Sequence, residues 1–377
     1  MQPTQKEPDA QSLLRLLNDA FEGWGDNAYF CWKYTDFPRY DPAEHNFVVE
    51  RDGDIVAARR VFSKLLVSGD DEQTVHVHGG TAVAEDHRQR GHYTRLVEES
   101  KEYSESAGSP AVMTFNREGK ITTETHIRQG WEYRVLPACI LPLTPVALIE
   151  QHASEVVGEI PGVTTAARLV TSRLGTRGVS RGIELAANGG DSLSDVVRSL
   201  TEVAGDVRIS GRDSTVTPHA TGGSVDVDPF EPDDMDAVRR SFERALGPYD
   251  LAFARGEPEI RHMVDYPRSE SVVARDDDGV SGFASVGIVD RGNLTEARVL
   301  DLIHENERTE SALLAEAERI ATRNDADVIS LFAASRPDGR WAQLRTEYVM
   351  WDPLTDESDW NDLLSDGWWR VTAYDVM

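Results

Sequence analysis

Cysteine, lysine and long apolar runs are all scarce in this 377-residue chain. Two cysteines, Cys31 and Cys139, are too few and too far apart for a disulfide framework or a thiolate metal knuckle. No apolar stretch approaches the ~18 residues that a membrane helix needs. The richest, 135–143, is interrupted by Pro137 and Pro142. The first residues, Met1-Gln2-Pro3-Thr4-Gln5-Lys6-Glu7, lack the basic-then-apolar order of a signal peptide. A cytoplasmic protein with no membrane partner is therefore expected. Lysine occurs only at positions 6, 33, 64, 101 and 120, so 34 of the 39 basic residues are arginine.

Acidic residues are abundant: 66 Asp and Glu give a formal charge of −27. Such a surface stays soluble when salt screens its self-repulsion. The expectation is a salt-adapted cytoplasm, the pattern of halophilic archaea, with attraction of cationic substrates as the alternative. Nonspecific nucleic-acid binding is disfavoured, because phosphate contact needs a cationic footprint. With 40% hydrophobic and 28% charged residues the chain can build ordinary cores, and its length suggests two or three domains.

A first unit runs to Leu143. Leu13, Leu14, Leu16 and Leu17 fall in register for an amphipathic helix. Residues 47–51, an Asp-Gly turn and residues 55–62 predict a hairpin. Strand 75–84, helix 93–107, strand 111–115, helix 122–128 stopping at Gly130, and final strands over 131–141 follow. Residues 144–224 are expected to be a helical and irregular connector, with helices at 146–157 and 193–203 and a linker at 215–224. From Val225 the order hairpin, strand, helix, strand recurs: a helix over 234–246, strands 271–275 and 280–289, strand 298–304, a helix carrying Leu313, Leu314, Ala317, Ile320 and Ala321 on one face, and strand 327–333.

The chemistry concentrates in Ala84-Glu85-Asp86-His87-Arg88-Gln89-Arg90-Gly91-His92-Tyr93-Thr94-Arg95, where a strand ends, a tight loop turns and a helix begins at once. Free backbone N–H groups and the helix dipole favour a phosphate at such a start. Gly91 lets phosphate oxygens approach the backbone, and Arg88, Arg90 and Arg95 reverse the local charge. An arginine-rich surface helix start is the plain alternative.

Arg88-Gln89-Arg90-Gly91-His92-Tyr93 resembles the GNAT acyltransferase signature Gln/Arg-x-x-Gly-x-Gly/Ala, with Tyr93 where the family usually has Gly or Ala. Phe115-Asn116-Arg117 and Gln129-Gly130-Trp131 resemble its strand-five asparagine and its small-aromatic pair. The resemblance spans residues 10–143 and is nearest to tandem-domain haloarchaeal members, more distantly to multi-acetylating aminoglycoside acetyltransferases. It implies an α/β (α+β) fold of tandem GNAT-like domains, each a mixed, mostly antiparallel sheet flanked by helices: residues 1–143 with the coenzyme A loop, 144–224 as connector, and 225–377 as a degenerate copy.

It further implies acetyl-CoA, or another acyl-CoA, as co-substrate, with no metal. The amides of Arg88, Gln89, Arg90, Gly91, His92, Tyr93 and Thr94 would cradle its diphosphate, Val83 and Ala84 would pair with the pantetheine arm, and Asn116 would hold that arm or a water. Where the family usually has a tyrosine acid, this chain has His126, whose imidazolium could protonate the thiolate; Tyr93 and Tyr133 are alternative phenols. His76 and His78 share one strand face, as base or water relay on one reading and as exposed strand residues on the other; no third ligand has metal-site spacing.

In the second unit, 305–310 has no glycine and three carboxylates, so it cannot hold a diphosphate. The aromatic loop 23–42 either lines an acceptor pocket or packs in the core, and Trp368–Tyr374 is core or interface. Two functions stay open: an acyl-CoA-dependent N-acyltransferase, most simply an N-acetyltransferase, acting directly on a small-molecule amine, or a noncatalytic acyl-CoA-binding or scaffolding protein. The oligomeric state is open, a homodimer included.

Overall fold

The computed structural model describes residues 2–21, 24–117, 120–143, 225–290, 294–332, 341–355, 359–367 and 369–376. The expected connector at 144–224, with its two helices and linker, lies outside these residues, as does Trp368. Local signals account for most elements of the first half. Helix α1 (Ala10–Phe21) buries Leu13, Leu16 and Leu17, an i, i+3, i+4 stripe, and the Asp9 carboxylate accepts from Ser12 N at 2.8 Å to cap it. Strand β1 (Thr4–Gln5) precedes it, and α2 (Asn27–Phe30) with a π-helical turn follows. β2 (Asn46–Arg51) and β3 (Asp54–Ser68) meet at Asp52 and Gly53, whose φ values of 54° and 93° suit a tight hairpin turn. β4 (Asp71–Val83), α3 (His92–Ser106), β5 (Ala111–Arg117), α4 (Ile121–Arg128) and β6 (Glu132–Pro142) complete this half.

The second half runs β7 (Asp226–Pro229), α5 (Met235–Ala245), β8 (Leu251–Phe253), α6 (Glu257–Val264), β9 (Ser269–Asp276), β10 (Gly279–Asp290), β11 (Thr295–His304), α7 (Glu307–Arg323), β12 (Val328–Phe332), β13 (Ala342–Pro353), α8 (Asp359–Asp366), β14 (Trp369–Arg370) and α9 (Ala373–Val376). Its main apolar layer packs Val286, Ile288 and Val299 of the sheet against Leu313, Ala317 and Ile320 of α7. Each fully buried aliphatic side chain there contributes about 1.5–3 kcal/mol.

The sheet order, β1-β2-β3-β4-β5-β13-β6-β12-β11-β10-β9-β7, departs from two separately closed units. Residues 131–141 do not supply closing strands for the first half. They form the single strand β6, which pairs with β12 of the second half, Ile140 opposite Ser330. In return β13 enters the first half beside β5, Tyr348 opposite Asn116, and joins the halves by also pairing with β6. Each half thus lends its last long strand to the other, giving tandem GNAT-like layers of mixed, mostly antiparallel sheet flanked by helices.

The C-terminal residues fasten this junction. Arg255 Nε donates to Asp301 Oδ2 at 2.5 Å and Nη2 to Asp375 Oδ2 at 2.8 Å, and Arg370 pairs with Asp301. Burial alone would strip the Arg255 charge; Asp375 and Asp301 outweigh it and hold the guanidinium cationic. Trp369 packs near Trp351, ring centroids 5.5 Å apart, so the described part of 368–374 is core. Among the described residues no helix is long and apolar enough to cross a membrane.

Candidate active site

Two irregularities in the central strands open the site. Between Ala58 and Arg60 of β3 the register with β4 shifts, so that Arg60 lies opposite Gly79 and Ala58 opposite Ala82. Gly80, at φ 59°, makes this bulge, and any Cβ there would land on the Tyr34 hydroxyl. β4 and β5 then pair in parallel only at His76–Val112 and Val77–Met113 before they separate. The result is a wedge between two strands that a central sheet would otherwise close.

The predicted loop borders this wedge. After β4, a short turn over Glu85–His87 leads through Arg88, Gln89 (φ 60°) and Gly91 (φ 77°) into α3. Gly91 is the N-cap and has no side-chain cap, so the first-turn amides of α3 keep their donors for a ligand. A Cβ at Gly91 would meet no atom, but the left-handed backbone disfavours it. Arg88, Gln89, Arg90 and Thr94 are exposed and Tyr93 is half-buried, whereas His92 is buried. Arg90 Nη2 donates to the Asp86 carbonyl at 2.6 Å and steadies the turn.

Of the two expected pantetheine contacts, one needs correction. Ala84 N donates to Val56 O at 2.9 Å and its carbonyl accepts from His87 N at 2.8 Å, so its backbone groups are already used. By strand alternation the N–H and C=O of Val83 point to the opposite edge, where β5 has moved away; the carbonyl accepts from Arg88 Nε at 3.4 Å, which leaves the N–H open.

Beneath the wedge lies a residue that the sequence reading did not single out. Arg59 is 4% exposed. It donates to Ser100 Oγ at 3.0 Å, Thr81 Oγ1 at 2.7 Å and His78 Nδ1 at 3.2 Å, and the Tyr93 phenol is near enough to act on it electrostatically. None of these partners is a carboxylate, and burial draws its pKa down to about 10. Two adjacent arginines in the otherwise apolar run 55–62 were the signal for it.

His76 and His78 are not exposed strand residues: they are 3% and 2% exposed, covered by α3. His76 Nδ1 lies 3.0 Å and His78 Nε2 2.8 Å from Ser104 Oγ, and His76 stacks on Tyr103 at 5.2 Å. Both ring nitrogens of His78 therefore face protein partners. Burial, then Arg59, holds His78 well below its ordinary pKa, and burial draws His76 down to about 4.

His126, on α4, is 4% exposed. Burial, then Arg59, lowers it to about 4 against a weaker opposite pull from Asp352. The expected imidazolium acid is thus corrected: the ring is neutral near pH 7 and can act only as a neutral N–H donor or acceptor. Asn116 Nδ2 donates to His126 Nδ1 at 3.2 Å, which leaves the ring proton on Nε2. Asn116 Oδ1 accepts from Thr122 at 3.3 Å, and Nδ2 also touches Met350 Sδ at 3.4 Å, so β13 reaches the site. Trp131 lies over His126 at 4.3 Å. Tyr133 stands outside this cluster, 46% exposed. Arg59 and His78 thus touch each other with Tyr93 nearby, and Asn116 and His126 form a second pair that feels the Arg59 charge.

Residues 3–134 match a family model described as an acetyltransferase (GNAT) domain. No curated protein matches the chain by sequence. Among solved structures, Saccharomyces cerevisiae N-myristoyltransferase with bound myristoyl-CoA is similar at 12% identity and TM-score 0.55, over 91% of this chain and 76% of that one. A GCN5-related N-acetyltransferase from Anabaena variabilis aligns at 9% identity and TM-score 0.53, over 94% and 73%. One from Kribbella flavida aligns at 14% and 0.50, over 91% and 69%. At these identities the likeness is one of fold, and it spans both halves.

Proposed function

We propose that the protein is an acyl-CoA-dependent N-acyltransferase, most simply an N-acetyltransferase of the tandem-domain haloarchaeal kind, that transfers an acyl group directly to a small-molecule amine. The observation that carries this reading is the uncapped start of α3 at Gly91, set beside the strands that part between β4 and β5. A diphosphate fits it: open amides at a helix N-terminus and exposed Arg88 and Arg90 in a chain of net −27. Coenzyme A would supply the activated thioester. The amides of 89–94 would bind its diphosphate, the Arg88 N–H being taken by the Glu85 carbonyl at 3.1 Å, and Val83 offers its outward N–H to the amide-bearing arm.

Arg59 places a fixed positive charge beneath the wedge, where negative charge develops on the departing sulfur. Tyr93, near Arg59, offers its phenolic O–H to that sulfur. His126, neutral and aligned by Asn116, offers an N–H to the thioester oxygen. Between the expected acids the geometry favours Tyr93 over His126, because a neutral imidazole is a poor proton donor to a thiolate. His78 acts as a positioning residue through Arg59.

The test is calorimetry with acetyl-CoA in molar KCl, together with thiol release on an amine panel. Saturable binding with amine-dependent thiol release is expected. Binding without turnover across the panel would favour the noncatalytic acyl-CoA-binding protein, and no binding would sink both readings.

A further inference from the structure

At the junction of the halves, away from α3, a small cavity is lined by Phe37, Ser63, Lys64, Tyr374 and two buried carboxylates, Glu259 and Asp375. We propose that this cavity seats an ammonium group of the acceptor, held by one free oxygen from each carboxylate; calling its occupant an acyl acceptor rests on the function proposed above. Glu259 is 6% and Asp375 1% exposed. Glu259 Oε1 pairs with Arg39, while Oε2 is buried without a hydrogen-bond partner. Asp375 Oδ2 accepts from Arg255 Nη2 at 2.8 Å, Thr372 N at 2.9 Å and Thr372 Oγ1 at 3.1 Å, while Oδ1 is likewise unpartnered.

Carboxylate oxygens only accept, and a buried acceptor without a donor is costly. The missing partner must therefore carry N–H or O–H groups, and an anion is excluded from contact with both oxygens. The free space admits one group the size of a water, which an ammonium head matches. Arg39 is the exposed charged residue of the lining and marks the side from which the remainder of an amine would extend.

The protein's own cation does not fill the gap. Lys64 Nζ donates to the Asp375 backbone carbonyl at 2.6 Å, not to its carboxylate, and lies 5.3–5.6 Å over the Phe37, Phe253 and Tyr374 rings. Burial, offset in part by Asp375 and Glu259 and reinforced by Arg255 and Lys33, draws Lys64 down to about 8. An arriving ammonium can thus displace the Lys64 proton at modest cost.

The probe is n-propylammonium, followed by saturation-transfer NMR on the full chain, with tetramethylammonium (no N–H) and butyrate (an anion) as controls. Only n-propylammonium should bind. Glu259→Gln should weaken it at least tenfold, and Lys64→Met, which removes a competing cation, should tighten it at least threefold. Asp375→Asn is not relied on, because Asp375 anchors Arg255. Equal binding of the controls, an unchanged affinity in Glu259→Gln, or unchanged or weaker binding in Lys64→Met overturns the proposal, as does a crystal soak showing only a water in the cavity. Acetyl-CoA calorimetry separates the two readings. Coenzyme binding without ammonium binding removes this site and leaves the proposed enzyme. Ammonium binding without coenzyme binding keeps the amine site and removes its role as an acceptor seat.

Discussion

Two helices start directly after a central strand, α3 in the first half and α7 in the second, and they are finished in opposite ways. At α3 the N-cap is Gly91, no side chain closes the first turn, and arginines flank it. At α7 the Asn306 side chain accepts from Thr309 N at 2.9 Å, and Glu307 and Glu310 occupy the first turn. Nearby Glu305 is taken by Arg244 and Ser241. One helix start offers its donors outward; the other has consumed them and repels anions. In a duplicated layout one helix start is thus left uncapped beside arginines, and the other is closed by its own side chains.

The largest expected effect comes from abolishing this difference. Gly91→Glu puts a carboxylate and a strained backbone into the first turn of α3, and acetyl-CoA affinity should fall at least a hundredfold by calorimetry; an unchanged affinity would show that the start of α3 is not the coenzyme's seat. Next, Arg59→Met should cut amine-dependent thiol release about a hundredfold while acetyl-CoA affinity stays within threefold. In the same variant the His126 pKa should rise from about 4, since one of its two depressing causes is gone; an unmoved NMR titration would disprove the coupling.

A third effect belongs to the buried rings. His76, His126 and His262 all sit near 4, below their ordinary 6.5, chiefly through burial. The unfolded chain takes up their protons first as pH falls. Stability should hence be full above about pH 6.5 and drain away towards pH 4, by a few kcal/mol in total. Thermal melts at pH 7.5 and 5 in constant salt would reveal this, and a flat profile would refute it. The smallest effect is the counterpart at α7: Asn306→Ala should cost about 1 kcal/mol of stability and leave acetyl-CoA binding untouched.

The sequence made α1, the two hairpins, α3 and α7 legible, because each rests on local periodicity and a local turn such as Asp52-Gly53. The loop around Gly91 was legible for the same reason. The place of β13 was not, since pairing of Tyr348 with Asn116 depends on no local signal. Nor did alternation reveal that His76 and His78 lie on the covered face: a period of two separates faces without saying which one a helix will cover. Arg59 escaped because a buried cation satisfied by serine, threonine and histidine has no sequence signature beyond its apolar neighbours. In the aromatic loop 23–42, Phe30, Trp32, Tyr34 and Phe37 are core, and Phe37 with Pro38 and Arg39 also lines the junction cavity.

The lending of strands between halves also governs how the molecule is born. While a ribosome is still extending the chain, the slot between β5 and β6 has no occupant until Pro353 has been made, 210 residues after Leu143. At about 5–20 residues per second that is a delay of roughly 10–40 s. For that interval the nascent first half carries two raw strand edges, and it would have to be shielded from pairing with its neighbours on the same polysome.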